Sequence, residues 1–378
     1  MIYGGSIPAY SWGLRQQWHG PQMGLRILHI TCGTLSYTRD QIARTINFLI
    51  GNCPNLSDLL LSFYSQYWGP REFDGDPNLA EILRLDQVRS PSTSITRLNS
   101  LSADGCNLAL TPNTVLQLQN LTHIEFLDNE CIRQEGFWSV LCSKDGIAPS
   151  VRLKSIKLSS MDPFFLDYLH SYSGLESLEL KTQTPTSFRD WGDLRGQSLD
   201  PAGSVGGTGQ VERRAIKFYL GIEKHAETIQ VLSVESYKED LWCFGGHNVG
   251  IIGKCHQLRV LGIPMDSKMV IEGDTTTEGG ENVVSARNFR QDEAIFSCFF
   301  LNKRQSYFIQ QVFCHPSLET IRCYLAGPTE DVRVEAENKL VALGEMMMQQ
   351  GARDDASFRW KYVLEDSASI NSVTWQKS

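Results

Sequence analysis

Cys243, His247, Cys255 and His256 stand within fourteen residues, a CxxxH followed by an adjacent CysHis pair. Thiolate and imidazole are the ligands that zinc takes in structural sites, four to a tetrahedron. Adjacent residues are an awkward pair for one ion, and His256 recurs as His315 in a segment that lacks the other half. The four therefore read as thiols and imidazoles of helix-to-strand turns, and no metal is expected. Two glycine-rich stretches do no better as phosphate cradles. GSVGGTG, residues 203–209, follows no expected strand and opens no close helix, which is the context a dinucleotide or phosphate loop needs. GIIGK, residues 250–254, lacks both a Ser or Thr after its lysine and the P-loop spacing. Neither a GxSxG elbow nor an HExxH helix occurs, and nothing singles out one of the eight histidines as a base. The expectation is a chain with no catalytic residue, no metal and no cofactor, and hence not an enzyme.

Bulk properties narrow the class of partner. With 378 residues the chain exceeds the size at which one hydrophobic core stops growing, so it is either two domains or a quasi-linear array. A content of 41% hydrophobic and 21% charged residues is that of a folded protein. The formal net charge of -8 leaves no footprint for nucleic acid, whose phosphates demand clustered Lys and Arg. No apolar run reaches the roughly 18 residues of a membrane span, and the start, MIYGGSIPAYSW, lacks the basic and apolar parts of a secretion signal. A protein of the cytoplasm or nucleus is expected, with neither nucleic acid nor membrane as partner. Ten cysteines without a framework spacing fit reduced thiols there.

A repeat resolves the choice between domains and array. LTHIEFLDNEC fits LxxLxLxxNxC through Leu121, Ile124, Phe126, Asn129 and Cys131, and LNSLSADGCNL fits through Leu98, Leu101, Ala103, Cys106 and Leu108. Seven further copies keep the LxxLxL core: Leu25/Leu28/Ile30, Leu56/Leu59/Leu61, Leu153/Ile156/Leu158, Leu175/Leu178/Leu180, Ile229/Leu232/Val234, Leu258/Leu261/Ile263 and Leu318/Ile321/Cys323. Chance alone supplies roughly four or five, so nine is an excess. What precedes the copies strengthens the pattern. Ile42, Ile46, Leu49 and Ile50 share a helical face ahead of NCPNL. Asp162-Pro163 reads as an N-cap with Pro at the first helical position, continued by Phe165, Leu166, Leu169 and Tyr172. KCHQLRVLGI and FCHPSLETIRC repeat the passage, with Cys255 and Cys314 placed like Cys53.

Helix then strand, repeated, predicts an α/β chain: an irregular leucine-rich-repeat solenoid, a right-handed arc with parallel strands on its concave face. Successive copies begin 31, 42, 23, 32, 22, 54, 29 and 60 residues apart. The long gaps place flexible insertions, or degenerate repeats with a loop, near 64–93, 184–210 and 266–292 within an array over 25–326, after an extension over 1–24. Residues 327–378 are expected to cap the array with a helix from Asp331 to Gln350 and a strand in FRWKYVLE.

Strand alternation then names a surface, because residues between the buried positions face the concave side. The candidate binding residues are Asp104, His123, Glu125, Lys157, Glu179, Lys181, Ser233, Glu235, Arg322 and Tyr324, in a stripe that also holds His29, Leu60, Ser102 and Gly262. A mixed polar stripe suits a protein partner rather than a polyanion. Glu125, Lys157 and Glu179 also read as neighbouring rungs whose opposite charges pair across adjacent strands.

FWSVLCSKDGIAP, RLKSIKLSSM, PFFLDYLHSYSGLESLEL, HAETIQVLSVESYKEDLWCFGGHN and CHQLRVLGI together resemble the leucine-rich-repeat part of basidiomycete fungal F-box proteins, over roughly residues 120–265. In that family an F-box helix bundle docks on the adaptor of a cullin-type ubiquitin ligase, while the repeats present a substrate. The resemblance implies a substrate-receptor-like role on the concave face. It implies adaptor binding only for a longer form that carries an F-box, because the 24 residues before Leu25 are too few for the bundle and DPNLAEIL is a poor substitute. The other expectation is a free-standing leucine-rich-repeat scaffold or regulator with no ubiquitin link.

Overall fold

The computed structural model describes residues 25–33, 39–64, 78–83, 98–111, 115, 118–127, 131–142, 151–159, 161–180, 207–235, 242–243, 247–267, 317–326, 331–342, 360–363 and 372–377. Two compact units divide the chain, Met1–Gln183 and Thr184–Ser378. The boundary meets the start of the insertion expected near 184–210.

In the first unit the described elements run β1 (Ile27–Gly33), α1 (Arg39–Gly51), β2 (Asp58–Tyr64), α2 (Leu79–Ile82), β3 (Ser100–Asp104), β4 (His123–Leu127), α3 (Cys131–Leu141), β5 (Ser155–Leu158), α4 (Pro163–Ser171) and β6 (Ser177–Leu180). Each strand pairs in parallel with the next in sequence, without a register shift. The repeat explains why. Leu28, Leu59, Leu101, Ile124, Ile156 and Leu178 form one row across the sheet, and Ile30, Leu61, Ala103, Phe126, Leu158 and Leu180 form the next. All twelve are buried, so a slip of one residue would turn a strand's apolar set onto the opposite face.

A backbone device repeats where each strand begins. The carbonyl of Arg26 accepts from the N–H groups of Ser57 and Asp58, at 2.8 and 3.0 Å. Ser57, Asn99, Thr122 and Lys154 each serve the following strand in the same way. On the helical side, aromatic residues fill the layer. Phe126 of β4 meets Phe137 of α3 edge-on at 4.8 Å, and Trp138 meets Phe165 of α4 at 4.8 Å. Helix α4 starts as its sequence predicts: the Asp162 carboxylate accepts from Phe164 N at 2.6 Å, with Pro163 in the first turn. Tyr168 then donates its hydroxyl to Val151 O and accepts from Leu153 N, fixing the approach to β5. Gly105 ends β3 at φ +69°, where a Cβ would lie 2.1 Å from Phe63 O, so the DG turn admits only glycine.

The second unit contains α5 (Gly207–Glu223), β7 (Val231–Val234), α6 (Val249–Ile252), β8 (Val260–Asp266), β9 (Thr320–Ala326), α7 over 331–342, β10 (Trp360–Val363) and β11 (Ser372–Lys377). Strands β7, β8 and β9 are parallel and adjacent in that order. Then β11 pairs antiparallel with β9, and β10 antiparallel with β11. Gln230 O and Arg259 O carry the same paired N–H groups as in the first unit. Core positions of all three parallel repeats are buried.

The chain is thus α/β: the described strands of the first unit pair in parallel throughout, and the second unit sets two antiparallel strands beside three parallel ones. Several expectations change at this level. Residues 79–82 lie in the stretch 64–93, yet they form a helical turn whose Leu79 and Ile82 are fully buried. Gly207, Thr208 and Gly209 lie in the first turn of α5, so GSVGGTG does open a helix. The preceding described strand, β6, ends back at Leu180, and the strand–loop–helix unit of a phosphate loop is absent among the described residues. The closing strand β11 was not anticipated: Val373 and Trp375 are buried, and it sits between β9 and β10. Asn129, Lys181, Cys314, His315, Met346 to Met348 and the greater part of the three expected insertions lie outside the described residues.

Candidate functional site

In the first unit, the face opposite the apolar rows carries three polar ones. Ile27, Asp58, Ser100, His123, Ser155 and Ser177 are in register, as are His29, Leu60, Ser102, Glu125, Lys157 and Glu179. A third row runs Thr31, Ser62, Asp104 and Leu127. Every one of these side chains is half-buried or exposed, so the face is open to a partner. Five of the candidate residues, Asp104, His123, Glu125, Lys157 and Glu179, lie together on it. Asp58, Ser100, Ser155 and Ser177 belong to the same surface and were missed. The signal was available, since each precedes the central core residue of its repeat by one position.

Charge on this face is arranged by the sheet register. Lys157 donates to Glu125 on the adjacent strand, with side chains 29% and 33% exposed. Glu179 is its register partner on the other side. The pairing of neighbouring rungs read from the sequence is therefore present for Glu125 and Lys157, and such a pair contributes about 1 kcal/mol at most. His123 Nδ1 lies 2.7 Å from the Thr122 hydroxyl and its ring is exposed. Small serines between the larger side chains leave shallow ground where another chain can approach the sheet closely.

The four candidates of the second unit lie elsewhere in character. Ser233, Gly262 and Arg322 share a row, but Ser233, Glu235 and Tyr324 are buried. Gly262 explains the arrangement. A Cβ there would stand 2.4 Å from Ser233 Oγ and 3.1 Å from Tyr324 Cε2. Its absence lets the Tyr324 ring cross β8, so that its hydroxyl meets Ser233 Oγ at 3.1 Å. Burial, and then the Glu235 carboxylate, push the Tyr324 hydroxyl well above its ordinary pKa. Ser233, Glu235 and Tyr324 thus form a closed polar network, and only Arg322, half-buried, remains within reach of a partner.

The zinc-competent residues separate as well. Cys243 and Cys255 are buried, whereas His247 and His256 are exposed. The Cys255 thiol donates to Ile251 O at 3.4 Å, and burial pushes it up to about 12, with Glu227 adding to the shift. A thiol held protonated is neither ligand nor nucleophile. Among the described residues no group of three His, Cys, Asp or Glu side chains is placed to hold a metal ion, and no helix is long and apolar enough to cross a membrane. An open polar depression of about 540 Å³ lies at the start of β8 and β9, between Gln230, His256, Arg259, Ser317, Glu319 and Lys377. Its lining includes a two-pronged ion pair, Arg259 Nε and Nη2 to Glu319 at 3.0 and 2.8 Å. Comparison with protein-family models finds no matching family, and comparison with curated proteins finds no similar one.

Proposed function

We propose that this chain is a non-catalytic, leucine-rich-repeat interaction protein that holds a protein partner against the open polar face of its first unit. The observation that carries the reading is the six-strand register: buried apolar rows on one side and three half-exposed polar rows on the other. Such a face offers many weak polar contacts, which suits recognition of a protein surface. The sequence likeness to fungal F-box proteins supports a substrate-receptor-like role related to cullin-type ubiquitin ligases, in the cytoplasm or nucleus.

Affinity purification from the native cell, followed by mass spectrometry, tests both levels. The proposal expects partners whose recovery falls at least severalfold with the charge-reversed pair Lys157→Glu and Glu179→Lys, while circular dichroism stays unchanged. A cullin adaptor among those partners supports the ligase relation. Stable partners without any ubiquitin machinery make the protein a free-standing scaffold. Recovery indifferent to the reversed pair refutes the sheet face as the binding surface.

A further inference from the structure

The second unit presents a surface that the sheet-face reading does not use. Helix α5 buries Ala215, Phe218, Tyr219 and Ile222, as an amphipathic helix should, with Phe218 packed on Trp242 at 5.4 Å and the Tyr219 hydroxyl donating to Trp242 O. Its outer side is not uniformly polar. Ile216 and Leu220, one turn apart, are 45% and 48% exposed. Along the same side run Arg213, Lys217 and, just past the helix end, Lys224, all exposed. Lys254 reaches in from the turn after α6 to pair with Glu223. Arg214, half-buried, follows Arg213, so basic residues recur along this helix in a chain whose formal net charge is -8.

Spacing gives the shape of what fits. Arg213, Lys217, Leu220 and Lys224 stand at i, i+4, i+7 and i+11 with Ile216 beside them, a straight stripe about 16 Å long at the helical rise. This is the spacing that a second helix meets when it lies alongside at a shallow angle. A strand would find no partner, because a helix interior satisfies its own backbone groups and presents only side chains. Two aliphatic side chains without an exposed aromatic neighbour on the stripe are too little apolar surface to insert into a lipid headgroup region.

We infer that the outer face of α5 docks an acidic amphipathic helix of a protein partner, its apolar side on Ile216 and Leu220 and its carboxylates over Arg213, Lys217 and Lys224. The surface is separate from the open sheet face, and the two readings stand or fall independently.

A labelled synthetic helix of about three heptads, with Leu at a and d and Glu at e and g, serves as the probe for fluorescence anisotropy with the full chain. Saturable binding is expected, weakened roughly tenfold by Leu220→Ser or by the pair Lys217→Glu and Lys224→Glu, as for a central anchor and its charged rim. A scrambled peptide of the same composition, and one with Lys in place of Glu, are expected to bind at least about tenfold more weakly. Ile216→Ser provides a second apolar variant, and circular dichroism checks that each variant folds. Equal binding of the scrambled or lysine peptide, indifference to the Leu220 and Ile216 variants, or no binding at all overturns the proposal. So does binding to phosphatidylserine vesicles that these variants abolish while the helical probe stays unbound.

Discussion

Gly262→Ala is the substitution whose cost the structure fixes most tightly. The new methyl carbon would stand 2.4 Å from Ser233 Oγ, and 3.1 Å from both Ser233 Cβ and Tyr324 Cε2. Ser233 must rotate, which breaks its 3.1 Å hydrogen bond to Tyr324, and the tyrosine ring must shift within a buried layer. Losing the hydrogen bond costs about 1 kcal/mol. Overpacking adds about 1–3 kcal/mol, and replacing glycine within a strand returns up to about 1 kcal/mol. A net loss of about 2 kcal/mol follows. In a Ser233→Ala background the shortest contact and the hydrogen bond are both already gone, so Gly262→Ala should cost about 1 kcal/mol or less. Urea denaturation followed by circular dichroism gives both costs. Hydrogen exchange on peptides spanning β7 to β9 assigns the change to the second unit, a safeguard for a chain that divides into two. Equal costs in the two backgrounds, or a stabilised single variant, would refute the argument that glycine is present to let Tyr324 cross the strand.

Two other outcomes follow from burial. Leu178→Ala, at a fully buried position of the first apolar row, should cost about 2–5 kcal/mol and lower the urea midpoint more than Leu28→Ala, which lies on the edge strand β1; equal midpoints would misplace the core. Alkaline pH should also destabilise the fold. Cys255 and Cys323 are both pushed up to about 12 by burial, from the ordinary thiol value of 9.0. Because the folded value is raised, their contribution is complete below about pH 9 and is lost as pH rises towards 12, on the order of a few kcal/mol. Tyr168, Tyr172 and Tyr324, raised by burial too, add to the loss above about pH 10. The urea midpoint of the wild type should therefore fall beyond pH 9, and the double variant Cys255→Ala, Cys323→Ala should flatten the curve between about pH 9 and 10. A wild-type midpoint constant to pH 11 contradicts the burial argument.

The nine parallel strands were legible from the alternating apolar positions of the repeat, and β2, β6, β8 and β9 also from the passage that leads into them. Asp162 and Pro163 announced α4 for the same local reason. Helix α2 was obscured because four residues are too short for a helical period to show, and β11 because SVTWQK carries no repeat signature. The candidate surface was readable in the first unit, where alternation alone decides which side chains face outward. It was misleading in the second, where Gly262 lets one tyrosine close over two strands. That closure depends on a residue two strands away from Ser233, a distance over which sequence periodicity carries no information. The exposure of Ile216 and Leu220 was equally hidden, since an aliphatic residue on a helix ordinarily signals a core face.

Among the described residues, the entries of seven strands, β2 to β6, β8 and β9, are each held by one carbonyl that receives two successive N–H groups from the strand that follows. Alignment of these strands is therefore settled at their first residue, whatever length of chain has passed since the last. The connecting segments are released from any duty to measure distance. Starts of the repeats vary from 22 to 60 residues apart, yet the described rows stay in line. Over evolutionary time such a chain is free to lengthen, shorten or replace whole connections, adding new surface at the margins while the sheet remains the same ruled page.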